Sequence, residues 1–111
     1  MIEKFAPFRS KKLRDYAKHY NCMNPQCSNR SGSDTVVMAH YHGHWAHYLG
    51  KGTSCKVTDL AGSYFCLECH DKFDLRTPVS PQELAQLKRM FWIAVARTHN
   101  ALANDGRLVI V

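Results

Sequence analysis

The sequence predicts an α+β domain: two short strands and a helix stapled by a four-cysteine zinc site, with an added N-terminal arm and C-terminal helix. Three observations carry that expectation. Cys22 and Cys27, and Cys66 and Cys69 about forty residues downstream, are two pairs at metal-ligand spacings. Residues 35–41 (Thr35, Val36, Val37, Met38, Ala39, His40, Tyr41) have the β-branched and aromatic content of a strand. Ser80-Pro81-Gln82-Glu83 opens a helix with an S-x-x-E capping box and proline in its first turn.

The paired cysteines read as ligands and not as disulfides. Two thiolates cannot close a tetrahedral zinc site, so Cys66 and Cys69 need a second pair, and Cys22 and Cys27 are the economical one. No apolar signal region follows Met1, and no apolar run approaches the ~20 residues needed to span a bilayer, which points to a cytoplasmic protein. Cys55, the odd cysteine, reads as a small, partly buried residue of a Gly-rich loop. At 111 residues and 45% apolar composition the chain reads as one domain, 1–111, with its core over about 20–77 and a helix over about 80–99. So small a core gains from a staple: structural zinc contributes about 10–16 kcal/mol of apparent binding energy, against about 5–15 kcal/mol for the whole stability of a typical domain.

Fifteen lysines and arginines against nine acids give a net charge of +6 and a pI near 9.2, which favours a polyanionic partner over an acidic metabolite. Ser10 is the N-cap of a short basic helix carrying Lys11, Lys12, Arg14 and Lys18. Lys11, Lys12 and Arg14, with Lys51 and Lys56 farther on, are the candidate phosphate contacts; the alternative for the helix is a solvated face.

Phe5, Pro7 and Phe8 form the arm before that helix, and residues 20–33, with Asn21, Pro25, Asn29 and Gly32, read as a looped knuckle around Cys22 and Cys27. Alternation along the first strand puts Val36, Met38 and His40 on one face and Val37, Ala39 and Tyr41 on the other. The loop from His42 to Asp59 is long for so small a domain, which favours a functional role. Ser63, Tyr64 and Phe65 form a second short strand that feeds into a helix at Cys66, broken by Thr77-Pro78. The capped helix presents Leu84, Leu87, Phe91, Ile93 or Ala94, and Val95 as its apolar face to about Thr98, with Arg97 and His99 near its C-terminus. An Asn104-Asp105-Gly106 turn then leads to residues 107–111, read as a closing strand, with an unpaired tail as the alternative.

If the chain turns helical at Cys66, His70 and Asp74 stand at i and i+4 on one face, a natural pair for a hard cation. A lone histidine at a strand end, such as His40, is ordinarily a packed or surface residue. Folding the cysteine pairs together brings it towards His70, and a neutral imidazole near a metal-bound phosphate can deprotonate the attacking water. His42 shares the parity of His40 and is the loop histidine most able to join them; His44 and His47 read as loop surface.

Met38-Ala39-His40, Gly50-Lys51-Gly52-Thr53 with Lys56 and Asp59, and Cys66-Leu67-Glu68-Cys69-His70-Asp71 with Asp74 and Arg76-Thr77 resemble the YbcO-like family of prophage nucleases. The resemblance runs from Cys22 to Thr77, about half the chain. It implies the HNH, or ββα-metal, endonuclease fold: two strands and a helix clasping one catalytic cation, buttressed by a zinc knuckle. In that scheme His40 resembles the general base, His70 the metal ligand on the helix, and Asp59 occupies the place of the central Asn. Many HNH enzymes carry Asp or His just before the general base as a further ligand, whereas Ala39 stands here, so the cation would lean on His70 with help from Asp59, Asp74 or His42. Asp74 could instead orient His70 or Arg76.

The leading expectation is a phage or prophage HNH-like DNA endonuclease with structural Zn2+ and catalytic Mg2+ or Mn2+, its substrate extending to branched or recombination-intermediate DNA. The rival is a non-catalytic zinc-knuckle module binding nucleic acid or a recombination protein. A zinc-dependent interaction protein without a nucleic-acid role is a third reading, which the +6 charge opposes.

Overall fold

In the computed structural model, residues 6–27, 35–51 and 56–110 are described; Phe5, Asn29, Gly32, Ser33, Gly52, Thr53 and Cys55 lie outside them. Helix α1, Lys11–Asp15, starts where Ser10 Oγ accepts the Leu13 N–H at 3.1 Å, and a 3-10 turn, Tyr16–His19, continues it. Leu13 and Ala17 are the residues this segment buries.

Strand β1, Val37–His40, pairs antiparallel with β2, Gly62–Phe65, in the register Val37 to Phe65 and His40 to Gly62. The expected alternation appears at Val36 and Met38, which are buried, and at Val37, which is exposed. It fails at Ala39, also buried, because both faces of the hairpin are covered there. The outer edge of β2 is satisfied by its neighbours: Tyr64 donates its N–H to Thr98 Oγ1 (3.1 Å) and accepts the Met23 N–H on its carbonyl (2.8 Å). A two-stranded ribbon is marginal alone, so this clamp between the cysteine knuckle and the last helix is what secures it.

Cys66 is the N-cap of α2, Leu67–Phe73, and Leu75 at φ 60° closes the helix in the left-handed conformation directly after Asp74. Helix α3, Pro81–Asn104, begins where Ser80 Oγ accepts the Glu83 N–H at 3.1 Å; the Glu83 carboxylate reaches Lys72 Nζ at 2.7 Å. Leu87, Phe91, Ala94, Val95, Thr98 and Leu102 form its buried stripe, while Ile93 is exposed, which decides between Ile93 and Ala94. Phe91 stacks on Phe73 at 4.7 Å, and Phe65 meets both rings edge-on, so α2, α3 and β2 share one core.

The expected end of α3 and the closing strand are corrected. The apolar stripe continues to Leu102, so the helix runs on to Asn104; the Arg107 and Leu108 N–H groups then fold back onto the Leu102 carbonyl (2.8 and 3.2 Å). That capping uses the backbone donors a strand would need, and Val109 and Ile110 are exposed and unpaired with any strand among the described residues. The long loop is also more structured than expected. It contains the 3-10 turns Ala46–Leu49 and Asp59–Ala61, and the first ends at Gly50 (φ 97°), where an added Cβ would lie 2.7 Å from Pro7 Cβ.

Candidate functional site

The knuckle folds locally. Asn24 Oδ1 accepts the Gln26 N–H (3.1 Å) and the Asn24 carbonyl accepts the Cys27 N–H (3.1 Å), which turns the chain so that both cysteines face the start of α2. The ligand atoms of Cys22, Cys27, Cys66 and Cys69 all lie within 4.8 Å of one another. A tetrahedral thiolate site with Zn–S bonds of ~2.3 Å has S···S edges of about 3.8 Å, and the Cys27 and Cys66 sulfurs are 3.8 Å apart. The Cys69 thiol shares a proton with Cys22, pulling the latter well below the ordinary thiol range, to about 5, and pushing Cys69 up. Buried Asn24 adds an Nδ2 donor 3.5 Å from Cys69 Sγ, a brace for a ligating sulfur. The donor set and its geometry fit zinc.

Asp59 is fully buried and is the hub of a second network. Its Oδ1 accepts from His40 Nε2 (2.8 Å) and Arg9 Nη1 (2.9 Å), and its Oδ2 from the Ser10 N–H (2.6 Å) and Arg14 Nη1 (2.7 Å). Burial opposes the charge on Asp59, but the His40 bond, the Ser10 N–H and the two guanidiniums outweigh it, and its pKa falls below the usual carboxylate value. An ionised acceptor at Nε2 requires the proton there, so the lone pair of neutral His40 resides on Nδ1. Burial holds the His40 pKa below its ordinary value of about 6.5, although Asp59 pulls the other way.

His70 and Asp74, on one face at the end of α2, meet at 2.9 Å between Nε2 and Oδ2. His42 Nε2 lies 3.1 Å from Asp74 Oδ1, yet outside hydrogen-bond geometry, and is a buried nitrogen with no hydrogen-bond partner. Burial also lowers the His70 pKa. Two imidazoles and a carboxylate are the donor types of a divalent-cation site, and the orphaned His42 nitrogen fits that use. Among the described residues the four cysteines are the group that clusters as a metal site, while Asp74 stands 3.1 and 2.9 Å from the two imidazole nitrogens.

One cavity of about 660 Å³ joins these parts: His40, His42, His70 and Asp74 line it, with Arg9, Arg14, Lys18, Lys51 and Lys56 around them. Asp15 is the other carboxylate on its wall, so cations outnumber acids there. Of the expected phosphate contacts, Arg14, Lys51 and Lys56 line the cavity. Lys11 and Lys12 do not; Lys11 is paired instead with Asp15 at 2.6 Å. Asp59 lies beneath the cavity wall and is not part of it, and Ala39 is in the core. His44 and His47 are exposed. Lys18, named on the basic helix, also lines the cavity; Arg9 is the cavity residue that sequence reasoning did not select, since it stands immediately before the Ser10 cap and no local signal ties it to an aspartate fifty residues away.

The model of the family described as "Putative nuclease YbcO" matches residues 11–107. A solved structure described as "Structure of a putative bacteriophage protein from Escherichia coli str. K-12 substr. MG1655" is similar to this chain with a TM-score of 0.59 at 20% identity, covering 86% of this chain and 99% of that one. At that identity the likeness concerns the fold alone. No curated protein matches the chain significantly.

Proposed function

Because this chain belongs to the YbcO nuclease family, we propose that it is an HNH-like, metal-dependent DNA endonuclease acting as a single domain in the cytoplasm of a phage or prophage host. The observation that carries the reading is one cationic cavity lined by both His40, held through Nε2 by a buried carboxylate, and the His42, His70 and Asp74 group. Zinc on the four cysteines is structural, since a site closed by four protein sulfurs has no open position.

His40 Nδ1 takes a proton from water, whose oxygen forms the new bond to phosphorus as the bond to the leaving sugar oxygen breaks. Asp59 keeps the imidazole in that tautomer and stabilises the imidazolium that forms. His42, His70 and Asp74 would hold Mg2+ or Mn2+, which supplies charge stabilisation for the phosphate and the leaving oxygen. Arg9, Arg14, Lys18, Lys51 and Lys56 draw the phosphate backbone into the cavity. DNA is the substrate, with branched or recombination-intermediate DNA among the forms to be tested.

The test is cleavage of linear, supercoiled and branched DNA by zinc-loaded protein, with and without Mg2+ or Mn2+. Cleavage is expected only with the added cation, and His70→Ala should lose both cleavage and binding of the second metal while retaining one zinc. Cation-independent cleavage, or wild-type inactivity on every substrate, would overturn the assignment. The second outcome favours a non-catalytic zinc-knuckle module, a reading supported by Ala39, whose buried methyl group offers no ligand beside His40.

Two further results are expected. DNA affinity should fall steeply as salt rises, and Lys51→Ala or Lys56→Ala should flatten that slope by roughly one counterion each; a salt-independent affinity would speak against phosphate contacts in the cavity. The acid limb of the pH–rate profile should lie below about 6.5, because burial keeps His40 neutral and competent as a base there. Stability moves in the same sense: the depressed pKa of His40 contributes stability above that value, lost as pH falls through the folded pKa, and Asp59 adds a similar loss at lower pH. An acid limb above 6.5 would point to another base.

A further inference from the structure

A second cavity, about 310 Å³ in volume, opens on the other side of His42 and is unused by the chemistry above. Tyr41 and His42 line both cavities, so these two side chains form the wall between them. The second cavity is aromatic: Tyr41 and Trp92 sit 5.2 Å apart with their planes tilted by 35°, Phe91 meets Trp92 edge-on at 5.1 Å, and His44 completes the mouth. Trp92 is 48% exposed, so part of its ring is open to a ligand. Lys88, one helical turn before Trp92 on α3, supplies a cation at the same opening. Gly43 packs closely against the end of the Tyr41 ring, where a Cβ would lie 2.7 Å from Tyr41 Cζ.

Resting on the nuclease reading, we propose that this pocket receives one unpaired nucleobase from the strand whose phosphate lies in the neighbouring cavity, and that the substrate is therefore DNA single-stranded at the cut. Charge and continuity identify the occupant. The pocket pairs aromatic faces with a lysine, the combination that stacks bases while holding a backbone, and it shares a wall with a cavity lined by five further cations. A base within a duplex is stacked on its neighbours and cannot enter a side pocket without leaving the helix, whereas an unpaired base enters without that cost.

The experiment uses zinc-loaded full-length protein without added Mg2+ or Mn2+, so that binding is read without turnover. Probes are a labelled single-stranded oligonucleotide, its duplex, and the same strand carrying one 2-aminopurine. Wild-type protein is expected to bind the single strand more tightly than the duplex and to quench 2-aminopurine by stacking. Trp92→Ala should weaken single-strand binding by about 5- to 150-fold, the equivalent of ~1–3 kcal/mol per stacked base, leave duplex binding unchanged, and be largely rescued in Trp92→Phe. Wild-type protein that binds DNA without quenching at any 2-aminopurine position overturns the base pocket, whatever the variants do, and leaves the nuclease reading standing. Equal single-strand affinity in Trp92→Ala and wild type does the same. Failure of the wild type to bind either DNA removes the nuclease reading, and this inference with it.

Discussion

Stripping zinc with a chelator is expected to unfold the hairpin and knuckle and to collapse the cooperative thermal transition. Cys66 is both a member of the proposed zinc site and the N-cap of α2, so losing the metal should release the first turn of the helix that presents His70 and Asp74. On the other side, Cys22 directly precedes Met23, whose N–H ties the knuckle to the outer edge of β2. Without the ion, four sulfurs remain crowded within 4.8 Å, three of them in buried residues. Structural zinc contributes about 10–16 kcal/mol in small domains, at least as much as the ~5–15 kcal/mol of a typical fold. The effect should therefore exceed that of any single core substitution, for which about 3–5 kcal/mol is the usual loss for Phe→Ala. Circular dichroism and metal content, measured through chelation and zinc return, check it: one zinc per chain, loss of cooperative melting without it, and recovery on re-addition. Cys69→Ser should behave like the chelated protein. An unchanged melting curve at zero zinc content would show that the sulfurs are not a staple.

What could be read in the sequence was local. The cysteine spacings, the Ser10 and Ser80 caps, and the β-branched run ending at His40 each lie within a few residues, and each appears in the fold where expected. Ends were less legible. The stop expected near Thr98 overlooked Leu102, four residues on along the same stripe, and the apolar Leu108, Val109 and Ile110 imitate a strand although the Arg107 and Leu108 N–H groups are committed to capping α3. Least legible was the tie between arm and hairpin. Arg9, Ser10 and Arg14 reach Asp59 across 45 to 50 residues, and nothing in the character of an arginine before an N-cap announces a buried carboxylate there. Asp59 itself was singled out, in the place of the central Asn and as help to the cation; its complete burial and its 2.8 Å bond to His40 could not be read from the sequence. The same distance hid how the basic helix divides its residues. Arg14 turns inward to Asp59 and the cavity, whereas Lys11 pairs along the helix with Asp15.

That buried carboxylate sets up a comparison between His40 and Asp59. His40→Ala is expected to lower the cleavage rate by about 10²–10⁴-fold, the usual yield of a general base, while zinc content and DNA affinity persist. Asp59→Ala should also lower the rate, through the orientation of the ring, but at a cost in stability that His40→Ala does not carry. It leaves Arg9, Arg14, the Ser10 N–H and His40 without their shared acceptor. Breaking a buried ion pair costs about 3–5 kcal/mol, and the lower figure applies because both guanidiniums reach solvent. Asp59→Asn separates orientation from packing. The amide is nearly isosteric but neutral, so it removes the charge that raises the His40 pKa and no longer enforces a proton on Nε2. Its acid limb should move to lower pH than in wild type, with a reduced plateau rate, and an asparagine that merely loosened the arm would leave the limb where it was. A limb that stays fixed in Asp59→Asn, or full activity in His40→Ala, would remove His40 from the role of base and leave Asp59 as a clasp between the N-terminal arm and the hairpin.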